Sequence, residues 1–364
     1  MKVSDQLKKR ILADYLENGK AKVGDKLPTI VKLSKQYNVS ATTIGKTVEV
    51  LAAEGWLVNR RGSGLYVAQP SDESRRSSSQ KVCRIGCICH NVTEPSLDQK
   101  VLVGISHVAE FHRATLEMAR TNWHVEDEQQ KVKRMVASGV QGIILYPTPF
   151  RNPDEEYLAR EFRDIPIVIV DLYESKMKRP HVIFDNYAAG RDMTKYIFGK
   201  GRERVAFVTI KSETGYRSLD DRLAGYRGAF REGGLSLIPE WVTDYDPNGE
   251  KRVSNFYEAL ERVLSVNPAP NAIICPSDGQ ALWAISYLRR KGISVPGDIL
   301  VAGFDNLPMN NALDPWPTTN PDFLRLGERA AELLLDCMES QDMNLSEIVL
   351  SAPLCAEDVR QTIF

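Results

Sequence analysis

Two groups of residues have the types and spacing to do chemistry. Near the N-terminus, Thr42, Thr43 and Lys46 fall within little more than one helical turn, and Arg60 and Arg61 stand immediately before Gly62-Ser63-Gly64. Cationic side chains neutralise phosphates, small residues let a helix N-terminus approach them, and an arginine-glycine tip can enter a minor groove. With Thr29, which opens the preceding helical stretch, and the tip residues Ser63 and Gly64, this set predicts a surface that contacts duplex DNA. The second group recurs after short apolar runs as His90-Asn91, Thr121-Asn122, Asp185-Asn186, Tyr245-Asp246, Ser277-Asp278 and Asp305-Asn306. Carboxylates, amides and an arginine fork suit a ligand whose hydroxyls both donate and accept.

The elements that must position the first group are readable. Thr29 caps a stretch with Ile30, Leu33 and Tyr37 on one face, and Ser40 caps another with Ile44, Val48 and Leu51 at three- and four-residue spacing. The short Tyr37-Asn38-Val39 turn sets these two helices at an angle. After Gly55, Trp56-Leu57-Val58 and Leu65-Tyr66-Val67 alternate like paired strands around the arginine tip. Helix, turn, helix and two-stranded wing resemble the winged-helix domain of the GntR family of bacterial transcription regulators. The resemblance rests on Leu27-Pro28-Thr29, on Val39-Ser40 with Thr43, on Leu51 with Glu54-Gly55, and on Gly62, Gly64, Tyr66 and Val67. At Val31, Ala41 and Gly45 the family commonly carries arginines, so its base-reading set does not transfer whole to this chain.

Charge divides the chain in the same place. Residues 1–69 hold 12 Lys+Arg against 6 Asp+Glu, and residues 82–364 hold 32 against 40, which the near-neutral total of 47 against 48 conceals. A basic head on an acidic body is expected where a nucleic-acid module joins one that binds something else. Residues 70–81, rich in serine and charge, read as a linker between a head at 1–69 and a body at 82–364. No apolar run is long enough for a bilayer span, and the first residues include Lys2, Asp5 and Lys8 in place of a hydrophobic leader, so no membrane association and a cytoplasmic location are expected. Six cysteines suit a reducing compartment. Among them, Cys83, Cys87 and Cys89 share one strand face with Ile85, a direction suited to packing and poor for tetrahedral closure on a metal; no metal site and no cofactor are expected. His107, His112, His124 and His181 read as surface or packing residues.

From residue 82 short strands alternate with helices. Strands are expected at 85–89, 115–119, 142–146, 165–170, 205–209, 272–275 and 300–304, and helices at 97–111, 129–137, 188–198, 218–232, 254–266, 280–291 and 323–338. Such alternation implies an α/β body of parallel sheets covered by helices, with ligands taken at the carboxyl ends of the strands. The motifs Val140-Gln141-Gly142-Ile143-Ile144-Leu145, Phe184-Asp185-Asn186, Arg222-Leu223-Ala224-Gly225-Tyr226, Ser277-Asp278, Gly303-Phe304-Asp305-Asn306, Thr318-Thr319 and Leu326-Gly327 resemble the LacI/GalR-type effector domain, itself similar to periplasmic sugar-binding proteins. Head and body together resemble the bacterial arabinose-operon repressors.

That resemblance implies a two-lobed periplasmic-binding-protein-like (type I) domain, with lobe 1 near 82–185 and 321–345 and lobe 2 near 186–320 and 346–364. It implies chain crossings near 185–187, 319–321 and 345–349 and a hinge that closes on a small ligand. Arg222, Asp278 and Asp305 match ligand-contacting positions, while His90, Asn91 and Tyr245 are effector candidates from loop position alone. Other roles stay open: an ion-pair partner for Arg222, a helix cap for Asp305, a half-buried strand end for Tyr245. Where the family often has Asn-Pro-Phe-Phe, this chain has Glu94-Pro95-Ser96-Leu97, so an aromatic wall is absent.

The expected function is an allosteric transcription regulator, most simply a repressor of carbohydrate use, that binds operator DNA as a homodimer and responds to a monosaccharide. The alternatives are a response to a nucleobase or sugar phosphate, a solute-binding receptor, or a sugar-processing enzyme. No catalytic residue is expected, because the body lacks a G-x-S-x-G elbow, a phosphate-cradling G-x-x-x-x-G-K-[ST] loop and H-E-x-x-H.

Overall fold

The computed structural model describes residues 3–17, 21–22, 24–53, 56–60, 64–68, 83–90, 97–121, 125–148, 158, 160–173, 179–211, 217–247, 250–307, 316–340 and 346–356. The chain separates into two compact units, residues 1–82 and 83–364. The proposed linker at 70–81 lies outside the described residues. No helix among those described is long and apolar enough to cross a membrane.

The first unit contains α1 (Val3–Leu12), which runs on into a π-type turn, then α2 (Ile30–Tyr37), α3 (Ala41–Ala53), β1 (Leu57–Arg60) and β2 (Gly64–Val67). Sequence reading did not foresee α1. Its signal was the four-residue spacing of Leu7 and Ile11, both buried against Leu33, Ile44 and Leu51 of the following helices. Thr29 caps α2, accepting from the Lys32 N–H at 3.4 Å, and Asn38 ends it in the left-handed region at φ 53°. β1 and β2 pair antiparallel with Arg60 opposite Gly64, and residues 24–27 add main-chain bonds to β2 through Gly24, Asp25 and Leu27.

The second unit has two lobes. One sheet, in the order β13-β7-β6-β5-β3-β4, is parallel throughout and comprises β3 (Arg84–Cys89), β4 (Thr115–Arg120), β5 (Gly142–Leu145), β6 (Ile167–Val170), β7 (His181–Phe184) and β13 (Glu347–Leu350). Helices α4 (Leu97–Phe111), α5 (Val125–Ala137) and α10 (Phe323–Ser340) belong to this lobe. The other sheet, in the order β11-β10-β8-β9, is also parallel and comprises β8 (Val205–Ile210), β9 (Val242–Tyr245), β10 (Ala272–Ile274) and β11 (Leu300–Ala302). It is covered by α6 (Asn186–Gly199), α7 (Arg217–Glu232), α8 (Arg252–Leu264) and α9 (Asp278–Arg290), and a short antiparallel pair joins β12 (Thr318–Thr319) to β14 (Leu354–Cys355). Strands buried on both faces explain the continuous apolar runs. Cys87 and Cys89 pack with Ile85 in one core, while Ile88 faces the other, as period-two geometry requires.

The chain passes from one sheet to the other at Asp185, between β7 and α6, and at Asn320, between β12 and α10. The third crossing differs from the expected one. Glu347 lies in register with His181, and Leu350 with Phe184, so β13 belongs to the first sheet and the crossing comes at residues 351–353 instead of 345–349. The assignment of residues 346–350 to the second lobe is therefore corrected. β13 is short and alternates exposed and half-buried residues at the sheet edge, which left its sequence signal weak. β7 and β9 were likewise not placed from sequence, each being a run of only four residues.

Each lobe pairs two helices at glycine-to-backbone distance. A β-carbon on Gly104 of α4 would lie 2.0 Å from the Leu324 carbonyl oxygen of α10, and one on Gly327 would lie 2.0 Å from that of Val101. In the second lobe, a β-carbon on Gly190 would lie 2.1 Å from the Arg222 oxygen, and one on Gly225 2.1 Å from the Tyr187 oxygen. The Gly225 and Gly327 motifs thus set helix spacing. Replacing Gly225 by alanine is expected to force α6 and α7 apart at a cost of about 1–3 kcal/mol. Thermal denaturation should show the lower Tm; an unchanged Tm would mean that this contact does not limit the packing.

Candidate functional site

On the first unit, the N-terminus of α3 holds the predicted DNA-facing residues. Ser40 caps it by accepting from the Thr43 N–H at 3.1 Å, and its hydroxyl lies 2.7 Å from that of Thr43. Ile44, Val48 and Leu51 turn into the core, which leaves Thr42 and Lys46 exposed on one side four residues apart and Thr43 half-buried beside its cap. Thr47 is buried and donates back to the Thr43 carbonyl at 2.9 Å. Thr29 is exposed, its hydroxyl engaged as the α2 cap. In the wing, Gly64 has φ +117°, a conformation that favours glycine, and a β-carbon there would also meet the Lys26 side chain at 2.8 Å. Arg61 and Ser63 lie outside the described residues, and of Arg60 only the backbone pairing with Gly64 is described. The structure thus places Thr42 and Lys46 on the exposed side of α3, with Thr43 half-buried beside them. Val31, where the family commonly has arginine, is exposed and apolar.

On the second unit, the carboxyl ends of both sheets meet at a cleft of about 200 Å³. Tyr146 and Asp171 enter from the first lobe, and Arg222, Ser277, Gln280 and Asp305 from the second. Arg222 is the hub. Its Nε donates to Asn186 Oδ1 at 2.8 Å, its Nη1 to the Pro276 carbonyl at 2.9 Å, and its Nη2 faces Asp305 Oδ1 at 3.5 Å, while the guanidinium lies 4.3 Å from the centre of the Phe304 ring. Opposite, Tyr146 donates its phenolic hydrogen to Asp171 Oδ2 at 2.5 Å.

Both carboxylates stand on strained backbone, with φ 61° at Asp171 and 93° at Asp305. Conformations of this kind cost on the order of 1–3 kcal/mol each and persist only where the surroundings enforce them. Here the Asp305 and Asn306 N–H groups donate to the Thr319 and Thr318 hydroxyls at 3.4 and 3.2 Å. Burial pushes the Asp305 carboxyl up to about 6, against the lowering pull of Arg222 and with a further rise from Asp171 across the cleft. Burial also raises Asp171, opposed by the Tyr146 hydroxyl and by Arg222.

Of the six sequence-derived effector candidates, Arg222 and Asp305 line the cleft and Asn91 lies outside the described residues. The other three stand behind it. Asp278 is fully buried, with Oδ1 accepting from Trp316 Nε1 at 2.8 Å and Oδ2 from the Leu307 N–H at 2.9 Å, so it holds the loop that presents Asp305. Burial raises its carboxyl to about 7. Tyr245 is buried and accepts from Gln280 Nε2 at 2.8 Å, steadying a cleft residue from below. His90 is buried 5.0 Å from the Tyr146 ring, and burial lowers its imidazole to about 4, which keeps it neutral. Asp278, Tyr245 and His90 thus do not line the cleft but pack behind residues that do. Sequence reading named Ser277 only as one of the polar loop groups, and it missed Tyr146, Asp171 and Gln280 as lining residues. Asp171 directly follows an apolar strand, the same signal that singled out Asp305.

A second link between lobes lies outside the cleft. Arg217, first residue of α7, donates from Nη1 to Glu347 Oε2 at 2.5 Å and from its main-chain N–H to the Tyr173 carbonyl at 3.1 Å. His181 packs behind it, stacked on Tyr173 with ring centres 3.6 Å apart and its Nε2 2.9 Å from the same Glu347 oxygen.

Residues 2–67 match the family of bacterial regulatory proteins of the gntR type, and residues 194–358 match the periplasmic binding protein-like domain. The chain is 26% identical over 351 residues to the arabinose metabolism transcriptional repressor of Halalkalibacterium halodurans, covering 93% of this chain and 89% of that protein. It is also 26% identical to the arabinose metabolism transcriptional repressor of Geobacillus stearothermophilus, over 93% of this chain and 92% of that one. In fold it resembles transcription regulator CcpA of Lactococcus lactis, with a TM-score of 0.66 and 20% identity over 76% of this chain and 98% of the other.

The exposed position of Lys46 beside the α3 cap makes it a candidate phosphate contact. Lys46→Ala is expected to lower the magnitude of the log-affinity versus log-salt slope for duplex DNA by about 0.9. Fluorescence anisotropy across a salt series measures it, and an unchanged slope would move the DNA surface elsewhere.

Proposed function

We propose that this DNA-binding transcription regulator, a GntR-type helix-turn-helix head joined to a periplasmic-binding-protein-like effector domain, represses a carbohydrate-utilisation operon and is released from its operator by a neutral sugar. It acts as a cytoplasmic homodimer that presents two heads to two half-sites, and it turns over no substrate. The cleft is the observation that supports this reading. Asp171 and Asp305 reach it from opposite lobes with Arg222 between them, so a ligand bridging the two carboxylates favours the closed arrangement. A polyol can donate to both carboxylates and accept from the guanidinium. Two acids against one arginine disfavour a sugar phosphate or a uronate, since an added anion would face like charge in a partly desolvated site. The repressors of arabinose metabolism among its relatives make arabinose the first sugar to test.

Effector and operator then act on each other through lobe closure, and linkage requires that each change the other's affinity by the same factor. Calorimetric titration with arabinose and with arabinose 5-phosphate tests the ligand class directly. Saturable binding of the sugar is expected and rejection of the phosphate. Tight binding of the phosphate would contradict the charge argument.

Two further outcomes follow from the geometry. Arg222→Ala should weaken sugar binding by about 1.5–3 kcal/mol for a charged hydrogen bond while DNA binding by the sugar-free protein stays near wild type. The pH dependence has a defined sign. Asp305 titrates near 6 in the free protein, and its ionised form accepts sugar hydroxyls, so affinity is full above that value and falls as the pH drops below it. Titrations at pH 7.5 and 5 (about 1 unit below the carboxyl) should differ by about tenfold. Equal affinities would remove Asp305 from the contact set.

A further inference from the structure

Arg217 and Glu347 join the two lobes at the lip of the cleft. Tyr173 follows Asp171 and Leu172, and Arg217 precedes Ser218 and Leu219; these four neighbours all line the cleft. Opening the cleft between them therefore draws Tyr173 and Glu347 on the first lobe away from Arg217 on the second. Glu347 also lies three residues before Leu350, the end of β13, which puts it about 10 Å along the strand from the third chain crossing. Bending at that crossing acts on the pair through this length of strand.

The first lobe offers Arg217 a formed socket. Buried Tyr173 presents its ring 5.9 Å from the guanidinium carbon and its carbonyl to the Arg217 N–H. Buried His181, stacked on the same ring, bonds the Glu347 oxygen that also accepts from Arg217 Nη1. That bond from His181, opposed by burial and aided by Arg217, holds the Glu347 carboxyl below its ordinary range and so ionised at neutral pH. On the second lobe Asp221, one turn along α7, stands 3.4 Å from Arg217 Nε and orients the guanidinium. Charge, ring and main-chain contacts thus converge on one residue. The cleft has a different character: Asp171 and Asp305 enter it from opposite lobes and share Arg222, so with no ligand between them carboxylate approaches carboxylate. Outside it, cation and carboxylate face each other across the same gap, and their attraction needs no ligand.

We propose that Arg217 and Glu347 form an interlobe latch, which must part before the cleft opens and which thereby sets how long a bound effector stays. The control of residence rests on the reading of the cleft as the effector site; the latch itself does not. Ligand release requires the lobes to separate, so an attraction lost on separation slows release without touching the ligand. The two side chains are 36% and 35% exposed, and solvent screens the pair, so its loss should ease opening by about two- to fivefold and not by orders of magnitude.

Arg217 carries its own reporter. As the first residue of α7 its N–H has no acceptor within the helix, and the Tyr173 carbonyl of the other lobe is its partner among the described residues. Amide hydrogen exchange at Arg217 in the full-length protein without sugar therefore reads lobe separation. Glu347→Gln and Arg217→Gln should each lower the protection factor at residue 217 by about two- to fivefold. The double variant should be no less protected than Arg217→Gln alone, because the two side chains make a single contact. Protection at residues 225–230, inside α7, should stay unchanged, which with thermal melts establishes that the variants are folded. In stopped-flow dilution followed by tryptophan fluorescence, arabinose should leave each variant faster by a factor in the same range. Unchanged protection at residue 217 in Glu347→Gln overturns the latch, and so do additive losses in the double variant. Lowered protection with an unchanged arabinose dissociation rate overturns its control of residence. Failure of arabinose to bind the wild-type protein would count against the functional reading, and the exchange result would still decide the latch.

Discussion

The guanidinium of Arg222 is the interaction on which the effector domain depends. One planar group reaches Asn186 at the first chain crossing, the Pro276 carbonyl after β10 and the Asp305 carboxylate after β11, and it lies over Phe304. Lysine could not replace it, because a single ammonium cannot reach three separated acceptors in one plane. The reach exists only because α6 and α7 approach at backbone distance through Gly190 and Gly225. Helix packing and site geometry are therefore the same constraint, and a methyl group at the crossing would displace the arginine as well as loosen the core.

Around that hub the domain concentrates cost where a ligand would sit. Two aspartates hold positive φ angles, their carboxyls are raised by burial, and they face each other across the cleft with one cation between them. Buried charges short of partners and strained backbone destabilise the free protein. Behind this layer stands a second one: Asp278 with Trp316, Tyr245 with Gln280, and His90 against Tyr146. Asp278, Tyr245 and His90 are buried and hold the residues of the lining to a precision that loops alone do not provide.

The head follows a simpler rule. Its core residues and its exposed residues alternate along α3, so that burying Ile44, Val48 and Leu51 leaves Thr42 and Lys46 exposed.

Local sequence determined the caps at Thr29 and Ser40, the alternation of the wing, the strand and helix periods of the body and the faces that Cys87 and Cys89 occupy, since each depends on residues a few positions apart. Arg222 and Asp305 were singled out by the resemblance of their motifs to the LacI/GalR-type effector domain, and Asp305 also stands after an apolar strand. Only the tertiary structure decided which polar loop residues reach the cleft and which stand behind it. Asp278 and Asp305 look alike in sequence, each beside a strand end, yet one is buried under Trp316 and the other lines the cavity. Asp171 enters the site because β6 and β11, remote in sequence, bring their carboxyl ends to one cleft, and β13 joined the first sheet because register with β7 outweighed a weak local signal. Those outcomes depend on long-range register and on burial, which are properties of the packed chain and have no counterpart in residue spacing.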